Sequence, residues 1–330
     1  MHPAFVPALT AALQAMVRRL GASPMAGVVA ALATVAGWTT WVVGTRHAMA
    51  SGAIEIDPAG LAVIRFGIAA LVLAPIWLKT GLKPKGVDIT TLAGLLCAGA
   101  PFVAFVSAGL GFAPAVQSAP IITGLMPIAV AILSALMLGE RLSRGRVMGL
   151  AVVGAGIAVV MAGGLLAGGP AWRGYGLFFM AALAWAAYSV SLKRSGLGAL
   201  QAAAVVAVWS FLIVLPWGFG SLAHALATAP VSAIAGQVVV QGLIAGVFSI
   251  VAFSLAANRL GASRASAITG FTPVAVLAAA AILLGERFEA ATVAGVVITG
   301  FGVVAASGLV PVVAARLWSL RPKRATSSQA

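Results

Sequence analysis

Ten runs of about twenty predominantly apolar residues divide this chain of 330 residues, and no other feature constrains its fold as strongly. They cover roughly 25–46, 58–79, 90–110, 113–138, 145–166, 173–192, 199–219, 233–257, 262–284 and 288–310. A helix of about 20 apolar residues crosses the hydrocarbon of a bilayer while satisfying its own backbone hydrogen bonds. Composition agrees: 62% of residues are hydrophobic and 8% charged, against about 25% charged in soluble domains. The expected fold is an all-α integral membrane protein with ten transmembrane helices and the lipid bilayer as its solvent.

The net charge of +14 invites a nucleic-acid reading, but the cations do not share one polar domain. They sit in short clusters between the apolar runs, so no nucleic-acid partner is expected. With the N-terminus placed in the cytoplasm, sixteen of the twenty Lys and Arg fall in inside segments, among them Lys79, Lys83, Lys85, Arg141, Arg144 and Arg146. Arg46, Arg173 and Arg287 fall outside, and Arg65 lies within the second span. Cytoplasmic loops carry the excess of Lys and Arg. This bias therefore predicts an even number of spans with both termini cytoplasmic. Arg18 and Arg19 follow the first apolar residues instead of preceding them, unlike a cleaved signal peptide. Residues 1–24 then form a cytoplasmic tail, either an amphipathic surface helix or a disordered segment, and 311–330 a basic cytoplasmic tail.

The two halves repeat. Leu138-Gly139-Glu140-Arg141 returns as Leu284-Gly285-Glu286-Arg287, at an offset of 146. The same offset carries Ile122-Thr123-Gly124 onto Ile268-Thr269-Gly270, Pro127 onto Pro273, and Gly149, Gly154 and Gly156 onto Gly295, Gly300 and Gly302. Trp38 and Trp41 match Trp185 and Tyr188 at an offset of 147. Each half, 25–166 and 173–310, holds five spans. An odd number makes the second half enter the membrane from the opposite side. Inverted repeats of this kind mark secondary transporters.

The repeated pattern Pro127, Leu138-Gly139-Glu140-Arg141, Gly149 and Gly154-x-Gly156 resembles the duplicated EamA domain of the drug/metabolite transporter (DMT) superfamily. Among characterised members, the chain is similar to amino-acid and metabolite exporters such as the YddG-type exporters of aromatic amino acids. The resemblance implies a multi-pass protein of the bacterial inner membrane that exports small metabolites. Small members of that superfamily couple to protons through a glutamate in their first helix. The first span here has no acid, so that mechanism does not carry over.

Each candidate residue has two readings. Pro127 and Pro273 sit mid-span, where proline removes a backbone hydrogen bond and frees the carbonyl four residues earlier. Those carbonyls belong to Thr123 and Thr269, with Gly124 and Gly270 loosening the same turns. The result is either a hinge offering polar groups to a substrate or a static kink. Trp38, Trp41, Trp185, Tyr188 and Trp209 either wall a central cavity, with Trp38 and Trp185 facing each other across it, or pack the repeat interface. Gln117 and Gln241 are costly to bury and are further candidates for the pathway. Arg65 either binds a substrate carboxylate, or snorkels outward or holds loop carbonyls, a structural role. Glu140 and Glu286 lie at opposite faces, about 30 Å apart. They are structural, each favouring the exposed N–H groups of the next helix start. Glycines of the fifth and tenth spans permit close helix approach.

The leading expectation is a secondary transporter of small metabolites, amino acids with aromatic or large neutral side chains among them, by alternating access. No catalytic residue, metal or cofactor is expected, and a monomer is the expected unit. A permease for another metabolite or drug-like compound, a membrane enzyme and a passive channel are the alternatives. Six acids, three scattered histidines and one cysteine do not supply an enzyme's cluster.

Overall fold

The computed structural model describes residues 24–50, 54–113, 115–166, 170–285 and 288–306. Both tails, Glu286 and Arg287 lie outside the described residues. Among those described there is no strand. Eight helices are long and apolar enough to cross a membrane, or nine when one bent pair counts as a single span. The chain runs through α1 (Pro24–Ala50), the bent pair α2 (Pro58–Val72) and α3 (Ala74–Thr80), then α4 (Ile89–Leu96) and α5 (Ala100–Leu110). Next come α6 (Ala115–Leu138), α7 (Arg144–Leu166), α8 (Ala171–Ser195) and α9 (Ala199–Thr228). A continuous stretch follows: α10 (Val231–Gln237), a π-helix (Val238–Ser249) and α11 (Ile250–Leu260). The described part ends with α12 (Ala262–Thr269), α13 (Thr272–Leu284) and the shorter apolar α14 (Ala290–Ala306).

Local chemistry explains where these elements start and stop. Asp57 caps α2, accepting from Gly60 N at 2.6 Å, with Pro58 pre-set for the first turn. Asp88 caps α4 through Thr91 N at 2.9 Å. The spans read as 58–79 and 90–110 are each interrupted. α2 and α3 meet at 71° around Leu73, where Pro75 cannot donate, and Trp77 Nε1 donates to Ala70 O at 2.8 Å across the bend. α4 and α5 part at Cys97–Gly99, ahead of Pro101, and Ser210 Oγ accepts from Ala100 N at 3.1 Å. The ninth span breaks as its Gly270 and Pro273 predict. Its repeat-related partner α6 does not: it stays helical through Pro120 and Pro127.

The repeat is visible in the turns. Gly139 and Gly285 close α6 and α13 with φ of 65° and 66°, the left-handed conformation that glycine adopts without penalty. Glu140 takes another partner than the helix start. Its carboxylate accepts from Lys193 Nζ at 3.0 Å, while Ser143 Oγ caps α7 through Arg146 N.

α7 and α14, from corresponding places in the two halves, pack backbone on backbone. A Cβ at Gly149 would lie 2.8 Å from Gly302 O, and one at Gly302 2.7 Å from Gly149 O. Gly156 and Gly295 are matched in the same reciprocal way, at 2.6 and 2.7 Å. This is the small-residue contact that lets membrane helices approach without a hydrophobic driving force. Gly154 and Gly300 face their own halves, near Ile128 and Val274.

Candidate functional site

A cavity of about 210 Å³ lies between the halves. Its lining comes from the later parts of α1 and of the apolar runs 90–110 and 262–284, and from the earlier parts of α2, α6 and α14. Where chain direction alternates from span to span, those parts share one end of the bundle. Trp38 and Trp185, near the middles of α1 and α8, reach its deepest level.

Aromatic rings make that floor. Trp38 and Trp185 do not stand across the cavity from each other; they touch edge to face, with centroids 5.0 Å apart. Phe253 packs against both, at 6.2 and 4.8 Å. Fully buried Tyr188 contacts Trp185 at 5.4 Å, and its hydroxyl bonds Ser254 Oγ at 2.7 Å. These rings form one packed aromatic cluster. Phe102, Val106 and Leu110 add one wall at helical spacing. That stripe was present in the sequence, though without polar or repeat-related residues to single it out.

Among the described residues, Arg65 is the only charged one in the lining. It is 7% exposed, and its guanidinium carbon lies 4.6 Å above the Trp41 ring and 5.6 Å from Phe66. Its Nε has no hydrogen-bond partner, and no carboxylate pairs with it among the described residues. The Trp185 indole N–H, buried at the floor, also lacks a partner. Leaving a buried donor unpaired costs about 1–3 kcal/mol, and more for a charged group. Both residues line the cavity, although neither nitrogen itself presents surface to it. Thr45, Ser118, Thr123, Thr272 and Thr292 supply hydroxyls around them.

Of the residues singled out in the sequence, Trp38, Trp41, Arg65, Thr123, Trp185 and Pro273 line this cavity. Others are engaged elsewhere. Gln117 Oε1 accepts from Tyr175 OH at 2.6 Å, and Trp209 Nε1 donates to Leu82 O at 2.9 Å in the connection after α3. Thr269 Oγ1 bonds Ser266 O at 3.2 Å, and the carbonyl freed at Thr269 is taken by Thr272 Oγ1 at 2.6 Å. Gln241 sits behind Trp41, accepting from its Nε1 at 2.8 Å. Gly270 and Pro127 meet at the junction of the halves, where a Cβ on Gly270 would lie 3.1 Å from Pro127, while Gly124 faces Ile157 and Thr299. No group of metal-ligating side chains occurs among the described residues.

A duplicated helical bundle with a largely apolar cavity at the junction of its halves fits a multi-pass membrane transporter. The chain belongs to the EamA-like transporter family, whose profile matches residues 25–162 and again 172–308. A probable terminal-alkyne amino-acid exporter of Streptantibioticus cattleyicolor is 28% identical over 243 residues, 69% of this chain and 76% of that protein. A solved crystal structure shares the fold, with a TM-score of 0.61 at 19% identity, over 86% of this chain and 98% of that one.

Proposed function

We propose that the chain exports zwitterionic amino acids with apolar side chains, by alternating access, with the substrate carboxylate on Arg65 and its side chain on the aromatic floor. One observation carries this reading: a buried guanidinium on the cavity wall has an aromatic face beneath it, an unpartnered Nε and, among the described residues, no carboxylate partner. A carboxylate is the acceptor that matches it. Drug-sized ligands occupy pockets of about 300–1,000 Å³. The cavity, at about 210 Å³, suits a molecule of amino-acid size better. The Streptantibioticus relative, named as a probable terminal-alkyne amino-acid exporter, points the same way.

The charge bias supports ten spans in two inverted halves with cytoplasmic termini, in the bacterial inner membrane. On that assignment the cavity lies in the outer half and the ring cluster closes the cytoplasmic side. The break at Gly270–Pro273, against continuous α6, then belongs to an outward-facing state. The inward-facing state exchanges the conformations of the two halves.

Uptake of labelled amino acids into liposomes containing the purified protein tests the reading. Saturable flux of phenylalanine and leucine is expected, inhibited by unlabelled amino acids and far more weakly by their α-amides, which lack the carboxylate. Equal inhibition by acid and amide would remove Arg65 from the substrate site.

A further inference from the structure

We propose that Gln241 is a positioning residue that holds Arg65 in the cavity through Trp41, an inference that rests on the reading of Arg65 as the carboxylate site. Gln241 is 3% exposed and its amide is committed. Its Oε1 accepts from Trp41 Nε1 at 2.8 Å. Its Nε2 donates to Thr45 Oγ1 at 2.9 Å and to Gln237 Oε1 at 3.3 Å. Both amide hydrogens are therefore used, and none is left for a substrate. Thr45 Oγ1 in turn donates to Trp41 O at 2.7 Å. The indole is thus fixed at its N–H edge by Gln241, and its backbone carbonyl is fixed by the hydroxyl that Gln241 also holds.

Arg65 needs that restraint. It lies seven residues into α2, about 10 Å from the helix start at 1.5 Å per residue, and a long cationic side chain at that depth can swing to the interface. What opposes the swing is the Trp41 face, 4.6 Å beneath the guanidinium. An indole whose N–H is donated to an acceptor also has a more electron-rich ring, which strengthens its hold on the cation.

The π-helix makes the arrangement possible. It presents Gln241 to α1 and packs its glycines on α2. A Cβ at Gly242 would lie 2.6 Å from Ile68, and one at Gly246 2.5 Å from Arg65 O. One segment of the second half therefore sets both members of the stack, the indole by its side chain and the arginine by its backbone. π-Helical turns recur at functional sites.

The test is KM and Vmax for labelled phenylalanine in liposomes holding wild type, Gln241→Leu, Trp41→Phe, the double variant and Arg65→Ala. Gln241→Leu and Trp41→Phe are each expected to raise KM about tenfold, equivalent to about 1.4 kcal/mol, with Vmax nearly unchanged. The double variant should be no worse than either single one, because both break the same link. Inhibition by phenylalaninamide should not change. Loss of Vmax at unchanged KM, or additive effects, overturns the proposal. Trp41→Phe keeps an aromatic face but removes the pyrrole ring with its N–H, so it carries the test if Gln241→Leu does not fold. If Arg65→Ala leaves KM unchanged, the carboxylate reading itself fails. If Arg65→Ala raises KM and neither Gln241→Leu nor Trp41→Phe does, the positioning role alone fails.

Discussion

Substituting alanine for Gly156 should loosen the contact between α7 and α14. The added Cβ would sit 2.6 Å from Gly295 O and 2.7 Å from Thr299 N, both backbone atoms that cannot rotate away. Ordinary contact begins at 3.4 Å, so the helices must part by about 0.8 Å at this crossing. A gap of about 0.5–1 Å forfeits a quarter to a half of the dispersion energy of the atoms involved. Overpacking of this kind costs about 1–3 kcal/mol. Gly295→Ala opposes the same crossing from the other side, so the double variant should cost clearly less than the two singles together. Gly176→Ala is the control, because a Cβ there meets nothing within 4 Å. In a helix interior that change is neutral or stabilising by about 0.5–1 kcal/mol. The assay is thermal unfolding of the detergent-purified protein. Equal shifts for Gly156→Ala and Gly176→Ala, or strict additivity of the pair, refutes the backbone-contact argument.

Three other outcomes follow from the same structure. Thr272→Val keeps the shape but leaves Thr269 O unpaired, and should lower stability by about 1–3 kcal/mol in the same assay. Asp88 is held well below the usual carboxylate range by the Thr90 and Thr91 hydroxyls and by Thr91 N–H. Its stabilising contribution is therefore complete above the ordinary carboxylate pKa and fades as pH falls toward its depressed folded value. Asp88→Asn should flatten that acid limb in melting curves taken from neutral pH downward. The six Asp and Glu all lie outside or at the ends of the spans, so an imposed proton gradient alone should not drive substrate uphill; uphill flux in pH-jumped liposomes would contradict this.

The apolar segments were legible because crossing a bilayer demands length and hydrophobicity, and both are local properties of sequence. The helix breaks were legible only in part. Pro75, Pro101 and Pro273 accompany interruptions, while Pro120, Pro127 and Pro216 sit in continuous helices. The outcome depends on which neighbours re-satisfy the freed carbonyls, as Thr272 does for Thr269. In the site, the paired positions Trp38 and Trp185 led toward the cavity, because the repeat places them at the same depth. Gln241 was legible as a costly buried amide, but its partner Trp41 lies 200 residues away. Arg65 read as a lone cation for the same reason: the indole beneath it comes from another helix.

Counterflow tests the central claim most directly. Liposomes loaded with unlabelled phenylalanine and diluted into a trace of the labelled amino acid should transiently accumulate label above its equilibrium level. Only a carrier that exposes one site alternately to the two sides produces that overshoot. Wild type should show it and Arg65→Ala should lose it. Label that rises to equilibrium without an overshoot in wild type, or an overshoot unaffected by Arg65→Ala, would contradict the account.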